Sequence, residues 1–491
     1  MTILKSLFSS FSTLTFKKVS FTMLFSTNSV VRSNLAKLAV LALIPLTLVA
    51  CGGGGGGSSQ PLTTTPVTPV SPPTSPTTPV AAMGCGTVTS TGTGNSTPVV
   101  VDGFPCAAAG GAGSVNWPQV PYISVKICAP GSTTNCQIID HIILDTGSTG
   151  LRIANSAISS TLRAALPANA GIATSSTLTE CEQYVDSFVY GPVVNADVYI
   201  AGESAKATQM QIFGDDSQFP VPVNGCSSGG GTETDSVTTF GGNGLLGVSF
   251  STLDNYSNYF DCNNSSLSTC VPNDYFPGIP NTVTQFGADS NGVTITLPAV
   301  GASGSLTAVT GTLNFGVATQ TDNTPTPTSK VVTLVNDGGN DATFGSFAVK
   351  VEGSTTWTLG YIDSGTDAVY FNDPANASLV NCPNKPIYYS GFYCPTTSQN
   401  VSFNYANFGT MTTLATVPYS IVNPNSLNIN VVAFNNEAGY ISSSNNADSQ
   451  IALGLTTFFG HTNYVIFDGL TAPGAEFGGT ATVTGPINGI Q

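Results

Sequence analysis

Two short stretches of the sequence place an aspartate in the same kind of turn. The first is IILDTGSTGLRI, residues 142–153, and the second is YIDSGTDAVYF, residues 361–371. In each, an apolar run leads to an Asp (Asp145 or Asp363), followed by a hydroxyl residue, Gly and a second hydroxyl residue. Two carboxyls within a hydrogen bond of each other cannot both ionise readily, so they can share one proton. Such a pair can accept a proton and donate one in the same reaction step.

The residues that follow each Asp suit the solvation of a carboxylate. Gly147 and Gly365 lack a Cβ, so backbone N–H groups can approach the two carboxylates closely. The hydroxyls of Ser148 and Thr366 can donate hydrogen bonds to the outer carboxylate oxygens. The alternative interpretation is a pair of ordinary Asx turns at strand ends.

A second motif follows each of these turns. The segment GLLGVSF contains Gly247, and the segment ALGLTTF contains Gly454. Each half of the chain therefore has an apolar strand, an Asp turn, a long intervening stretch and then an apolar segment with a central Gly. This arrangement predicts an internal repeat of architecture with little sequence identity.

The composition predicts an all-β fold. Val, Ile, Thr, Tyr and Phe recur in short runs such as VPYISVKI, QIIDHIIL and NINVVAF, separated by Gly, Pro, Asn and Asp. The best short helix is SAISSTLRAAL, residues 156–166. A length of 491 residues favours two domains or lobes, with the best internal boundary at DNTPTPTS, residues 322–329. Beyond residue 50 the chain has 7 basic and 27 acidic residues, which argues against nucleic acid as a partner.

The N-terminal region has the pattern of an export signal. LAKLAVLALIPLTLVAC has a Lys, an apolar segment and then Cys51, which predicts a signal peptide over residues 1–50 rather than a weak membrane anchor. The stretch LVAC resembles a bacterial lipobox, in which the Cys is lipidated and becomes the mature N-terminus. The resemblance implies a lipoprotein at the bacterial outer membrane or cell surface, anchored through a lipid on Cys51. Residues 51–82, rich in Gly, Pro and Thr, are then a tether.

The 11 cysteines fit an oxidising compartment. Lipidation of Cys51 would leave ten, enough for five disulfides, although the sequence does not fix their connectivity. No metal site is predicted, because there is no CxxC motif and the only histidines are His141 and His461, both expected to be structural. The simplest pairing joins nearest neighbours: Cys85–Cys106, Cys128–Cys136, Cys181–Cys226, Cys262–Cys270 and Cys382–Cys394.

Together, the two Asp turns and their downstream Gly segments resemble the pepsin-like aspartic peptidases, over roughly residues 117–475. The resemblance implies two β-barrel-like lobes with a cleft between them, an N-terminal lobe over 83–321 and a C-terminal lobe over 322–491. It also implies that Asp145 and Asp363 hydrolyse peptide bonds with an activated water, and that Thr146 and Ser364 brace the two turns against each other. The implied substrate is a polypeptide, no cofactor is needed, and the protein is expected to be a monomer.

That family also has a hairpin flap over the cleft that bears a Tyr. Tyr184, seven residues before Gly191, fits the spacing of the flap. The alternatives are that Tyr184 is an ordinary strand residue or that Tyr190 is the flap tyrosine. The sequence departs from the family at Arg152, where a Trp is common seven residues after the first Asp. We expect Arg152 to lie on the surface; the alternative is a cation near the cleft that lowers the pKa values of the two aspartates or selects acidic groups of the substrate.

A second class of function is compatible with the same residues. The chain could be a non-catalytic binding or structural lipoprotein that retains the pepsin-like fold. The presence of both Asp145 and Asp363 favours the enzyme, because inactive relatives commonly lose one of the two.

Overall fold

A computed structural model describes most of the chain from residue 91 onward. The described residues are 91–104, 118–172, 175–185, 187–215, 218–221, 226, 231–254, 257–264, 266–335, 345–372, 376–382, 391–428, 430–441, 450–474 and 482–491. Their secondary structure is almost entirely β, which confirms the predicted fold class. The predicted signal peptide, the tether and the lipidation site Cys51 lie outside the described residues, as do Cys85 and Cys106.

The strands and helices have the following bounds. The strands are β1 (Ser96–Val101), β2 (Pro121–Cys128), β3 (Cys136–Asp145), β4 (Thr149–Ala154), β5 (Ser176–Gln183), β6 (Ser187–Ile200), β7 (Glu203–Phe213), β8 (Thr232–Glu233), β9 (Gly244–Val248), β10 (Asn258–Asn263), β11 (Ser266–Pro272), β12 (Gly292–Thr296), β13 (Val309–Phe315), β14 (Lys330–Thr333), β15 (Phe347–Val351), β16 (Thr358–Ile362), β17 (Val369–Tyr370), β18 (Gln399–Ala406), β19 (Ala415–Ile421), β20 (Ala438–Gly439), β21 (Ile451–Leu453), β22 (Thr462–Ile466), β23 (Thr471–Ala472), β24 (Val483–Thr484) and β25 (Ile487–Ile490). The α-helices are α1 (Ser160–Ala165) and α2 (Val237–Phe240), and 3-10 helices cover Asn155–Ala157, Thr282–Gln285, Thr321–Asn323, Pro424–Ser426 and Leu455–Thr457.

The two Asp turns lie in the same local topology. In the N-terminal half, β9 runs between β3 and β4, parallel to the first and antiparallel to the second, so that Asp145 lies opposite Gly247. In the C-terminal half, β21 runs between β16 and β17, parallel to β16 and antiparallel to β17. The architectural repeat predicted from the two motifs is therefore present in the fold.

One sheet contains strands from both halves of the chain. Along one edge its order is β1-β13-β12-β22-β25-β14, and the two halves meet where β12 pairs antiparallel with β22. The main apolar core is also shared, because residues from Val99 to Ile490 belong to a single buried cluster. The predicted boundary at residue 322 therefore lies within a chain whose halves share both a sheet and a core.

Strands β5 and β6 of the N-terminal half form an antiparallel hairpin. On its outer side β5 pairs with β10, and β10 pairs with β11, so the hairpin belongs to a wider sheet. Four of the five predicted disulfides are formed in the described part of the chain: Cys128–Cys136, Cys181–Cys226, Cys262–Cys270 and Cys382–Cys394. Two of them, Cys181–Cys226 and Cys262–Cys270, tie down this region.

Two local predictions had opposite outcomes. The segment SAISSTLRAAL contains α1, which is shorter than predicted at Ser160–Ala165 and whose first turn is capped because the Ser159 side chain accepts a hydrogen bond from the Leu162 N–H. The prediction of a strand at NINVVAF was wrong, since its described residues form only an isolated bridge, between Ala433 and Ser305. None of the helices in the described part of the chain is long and apolar enough to cross a membrane.

Candidate active site

The predicted catalytic aspartates lie at the ends of two equivalent strands. Asp145 is the last residue of β3, and Asp363 follows directly after β16. Both are buried, with 5% and 7% of their surface exposed. Their carboxylates accept equivalent hydrogen bonds, as the residue types predict. The N–H of Gly147 donates to Asp145 Oδ1 at 2.8 Å, and the N–H of Gly365 donates to Asp363 Oδ1 at 2.8 Å.

The hydroxyl donors expected at the outer oxygens are also in place. Ser148 Oγ donates to Asp145 Oδ2, and Thr366 Oγ1 donates to Asp363 Oδ2 at 2.6 Å. Hydrogen bonds to the charged form of a carboxyl stabilise that form. Each Asp therefore has the same pair of donors, one backbone amide and one hydroxyl.

Thr146 and Ser364 join the two turns through a reciprocal set of hydrogen bonds. The N–H of Thr146 donates to Ser364 Oγ at 3.0 Å, and the N–H of Ser364 donates to Thr146 Oγ1 at 2.9 Å. Each hydroxyl then donates to a backbone carbonyl of the opposite strand, Thr146 to Ile362 at 3.1 Å and Ser364 to Leu144 at 2.7 Å. These four bonds link residues that are 216 to 220 positions apart, and they fix one Asp turn against the other.

The glycines of the two turns allow the carboxyls to approach each other. A Cβ on Gly147 would lie 2.7 Å from Asp363 Oδ1, and a Cβ on Gly365 would lie 2.7 Å from Asp145 Oδ1. Each Gly therefore packs against the carboxyl of the opposite turn, where any larger residue would collide with it.

The downstream glycines, Gly247 and Gly454, pack closely against the backbone of the two Asp turns. A Cβ on Gly247 would lie 2.6 Å from the Ser148 carbonyl oxygen, and a Cβ on Gly454 would lie 2.6 Å from the Thr366 carbonyl oxygen. The repeated apolar-Gly segment is thus explained by close approach to the backbone of each Asp turn.

The electrostatics of the pair favour a single proton. Burial raises the pKa of Asp363 well above its usual range, and the charge of Asp145 and a hydrogen bond to its carboxyl raise it further. Hydrogen bonds from Thr366 and Gly365 act in the opposite direction without cancelling this effect. Asp363 therefore retains a proton at a pH where an isolated aspartate would have lost it. The arrangement can take up one proton and give up another without a metal ion.

The family to which the chain belongs is evident from its sequence. The family model described as "Protein of unknown function (DUF3443)" matches residues 91–482. The chain belongs to this family. No curated protein matches the sequence. Among solved structures, the chain is similar to the aspartic proteinase from Irpex lacteus, with 12% sequence identity and a TM-score of 0.41, over 80% of this chain and 96% of that one.

In the DUF3443 chain, the predicted flap tyrosine lies at the end of the β5–β6 hairpin. Tyr184 follows β5, and its N–H donates to the Ser187 carbonyl across the turn. Its ring packs against Phe240 with centroids 6.0 Å apart, and burial together with nearby charges, including Asp145, raises its pKa. The competing candidate, Tyr190, lies within β6, where it is buried and donates to Thr179 Oγ1. Of the two candidates, Tyr184 is the one at the hairpin turn, and its role in a flap stays a prediction.

The expectation that Arg152 lies on the surface was wrong. Its side chain is fully buried on β4, and one guanidinium nitrogen contacts three carboxylates. The three carboxylates belong to Glu180, Glu182 and Asp254, which the sequence analysis did not single out. A signal was present, because Glu180 and Glu182 lie two residues apart, as on one face of a strand, in a chain with only 8% charged residues. Oxygens of these three residues lie within 4.8 Å of one another, but the guanidinium already occupies the position a metal ion would need.

The two histidines differ in their surroundings. His141 is buried, with Nε2 3.0 Å from Asp102 Oδ2 and Nδ1 3.1 Å from Asp140 Oδ2, and it stacks on Phe104. Burial opposes its charge, but the hydrogen bonds to the two aspartates prevail and raise its pKa to about 9. His461 is near the surface, beside the Gln491 carbonyl. The ion pairs of His141 agree with the structural role predicted for it.

Proposed function

We propose that this protein is an aspartic-type endopeptidase that hydrolyses peptide bonds with Asp145, Asp363 and an activated water. The single observation that carries this proposal is the symmetry of the pair. Each carboxyl accepts one backbone and one hydroxyl hydrogen bond, and each faces the glycine of the opposite turn. A pair of Asx turns with no further role would not need the reciprocal bonds that fix them together.

The proposed reaction uses the one proton of the pair. The ionised carboxylate of Asp145 takes a proton from water as the water oxygen attacks the peptide carbonyl carbon. The protonated carboxyl of Asp363 gives its proton to the carbonyl oxygen, which forms a neutral tetrahedral intermediate. When the C–N bond breaks, the proton held by Asp145 passes to the leaving nitrogen and one hydroxyl proton of the intermediate returns to Asp363. The pair is then ready for another cycle, and no cofactor takes part.

The experiment is turnover of an unfolded protein substrate in acid, with and without a transition-state-mimicking inhibitor of aspartic peptidases. We expect cleavage that the inhibitor abolishes and that Asp145→Asn lacks. If purified, folded protein gives no cleavage between pH 2 and pH 7, roughly the range in which such carboxyl pairs titrate, the non-catalytic binding protein becomes the better interpretation.

The four disulfides are typical of an exported protein in an extracellular or periplasmic compartment. Within that setting we propose a lipid anchor at Cys51, which the LVAC sequence and the tether that follows it support. Cys51→Ser should release the protein from membranes into the soluble fraction. A mature protein that still carries an intact, unmodified segment from residue 1 to Cys51 would contradict the anchor but leave the peptidase proposal unaffected.

A further inference from the structure

Arg152 is the centre of a buried ionic cluster next to the Asp turn. Its Nη2 lies 2.8 Å from Glu180 Oε1, 3.1 Å from Glu182 Oε2 and in direct contact with Asp254 Oδ2. Its Nη1 donates to the Thr149 carbonyl at 2.8 Å. The Arg152 and Glu180 side chains are fully inaccessible, and those of Glu182 and Asp254 are 9% and 5% exposed. Removing charged groups from water is costly, so such a cluster persists only where the groups satisfy one another.

The cluster brings together side chains from three parts of the N-terminal half. Arg152 lies on β4, the strand that continues from the first Asp turn. Glu180 and Glu182 lie on β5, the first strand of the hairpin, and project from the same face because they are two residues apart. Asp254 lies in the segment after β9. The guanidinium therefore holds the part of β5 nearest the hairpin turn against β4, the strand that follows the first Asp turn.

Tyr184 lies two residues beyond Glu182, at the end of the same hairpin. Its hydroxyl is buried without a hydrogen-bond partner, while the charges of Arg152, Glu182 and Asp145 all act on it. A displacement of β5 relative to β4 would therefore move Tyr184 relative to Asp145.

We propose that Arg152 is a positioning residue that holds the β5–β6 hairpin, and with it Tyr184, beside Asp145. Its significance for catalysis rests on the proposed peptidase function, but its effect on the hairpin does not. The Cys181–Cys226 disulfide restrains the same strand from its other face, because Cys181 lies between Glu180 and Glu182 and points the opposite way. The ionic cluster acts on the opposite face of β5 and links it to β4, the strand that follows the first Asp turn.

The groups that face the guanidinium make this contact sensitive to pH. Besides the three carboxylates, Tyr184 and Tyr259 face the cluster, and Tyr259 donates its hydroxyl to Glu180 Oε1 at 3.0 Å. Burial raises the pKa of Glu180 to about 7 despite the charge of Arg152. Because one cation faces three carboxyls, a rise in pH above this value adds buried negative charge that Arg152 alone cannot balance. The contact should therefore hold the hairpin most firmly in acid.

The test is amide hydrogen exchange of the intact, oxidised protein at pH 5, read separately for β5–β6 and for β18–β19, a hairpin in the other half. Arg152→Met removes the charge at similar length, and we expect loss of protection of about 100-fold in β5–β6, with little change in β18–β19. Arg152→Lys, which keeps the charge without the planar fork, should lose less. The matched control is Arg163→Met, because Arg163 on α1 has a single carboxylate partner, Asp215, at 3.2 Å.

Unchanged protection of β5–β6 in a folded Arg152→Met protein overturns the proposal, and so does an equal loss in β18–β19. If Arg152→Met fails to fold, Arg152→Lys is judged by the same two criteria.

Turnover is a separate measurement. Loss of kcat/KM in Arg152→Met together with loosening of the hairpin supports the positioning role. A wild-type protein without turnover refutes the peptidase function but leaves the exchange result valid.

Discussion

Gly147→Ala is the sharpest available test of the contact between the two Asp turns. The new Cβ would lie 2.7 Å from both Cγ and Oδ1 of Asp363, whereas ordinary contact begins at 3.4 Å. The carboxyl would have to move by about 0.7 Å. It cannot do so freely, because the Gly365 N–H and the Thr366 hydroxyl hold its two oxygens. Misplacement of a catalytic group by about 1 Å can cost roughly 100-fold in rate, equivalent to about 2.7 kcal/mol of activation free energy.

We therefore expect Gly147→Ala to lower kcat by about 100-fold on an unfolded protein substrate in acid. Gly365→Ala should have a similar effect, because its Cβ would lie 2.7 Å from Asp145 Oδ1. Gly409→Ala is the control, since its Cβ would meet no atom within 4 Å. Thermal unfolding in the same buffer separates a local effect from a loss of fold. A folded Gly147→Ala protein that turns over within about twofold of the wild type would refute the proposed approach of the two carboxyls.

Three further predictions concern the two Asp turns and the buried acid Glu437. Asp145→Asn and Asp363→Asn should each lower turnover by several orders of magnitude. The double variant should lose little more activity than either single variant, because the two residues act as a unit. Losses in the double variant that equal the product of the two single losses would contradict this. Ser364→Ala should lower the free energy of unfolding in urea by about 1–3 kcal/mol, since the buried N–H of Thr146 loses its acceptor, and a loss below about 0.5 kcal/mol would argue against the brace. Burial, and to a smaller extent the charge of Asp367, raises the pKa of Glu437 to about 8. Between about pH 4.5 and pH 8, Glu437 therefore keeps its proton in the folded state and loses it in the unfolded state. The free energy of unfolding should fall as the pH rises through this range. Glu437→Gln should reduce this fall in the free energy of unfolding by up to roughly 5 kcal/mol. The measurement is urea unfolding of the variant and the wild type at about pH 4 and about pH 8.5. An equal fall in both proteins would contradict the raised pKa of Glu437.

The sequence predicted those features of the site that are local. The Asp turns and the apolar-Gly segments could be identified because each is a short run of residues whose types are set by close backbone contacts. The helix α1 was predicted for the same reason, since its capping residue Ser159 is adjacent in sequence. In these cases the residues that make up each motif lie within a few positions of one another, although some of their contacts, such as that of Gly247 with Ser148, are distant in sequence.

The features that were missed depend on partners far away in the sequence. Arg152 has the pattern of an exposed cation in a strand, and its burial follows only from Glu180 and Asp254, which lie 28 and 102 positions away. The segment NINVVAF has a strand-like composition, but in its described residues only Ala433 makes a bridge to another segment. Whether a strand forms depends on an available neighbouring edge, which local pattern does not reveal.

The sheet shared by the two halves has a consequence for the timing of folding. Thr296 on β12 meets Thr462 on β22, 166 positions later, and β25 near residue 490 lies between β22 and β14. The N-terminal half therefore exposes an unpaired strand edge until nearly all of the described chain has been synthesised and exported. Strands that are so far apart in sequence pair slowly, because closing the long intervening loop lowers the conformational entropy of the chain before the stabilising contacts form. The two Asp turns, one from each half, would thus come together only late in the folding of the chain.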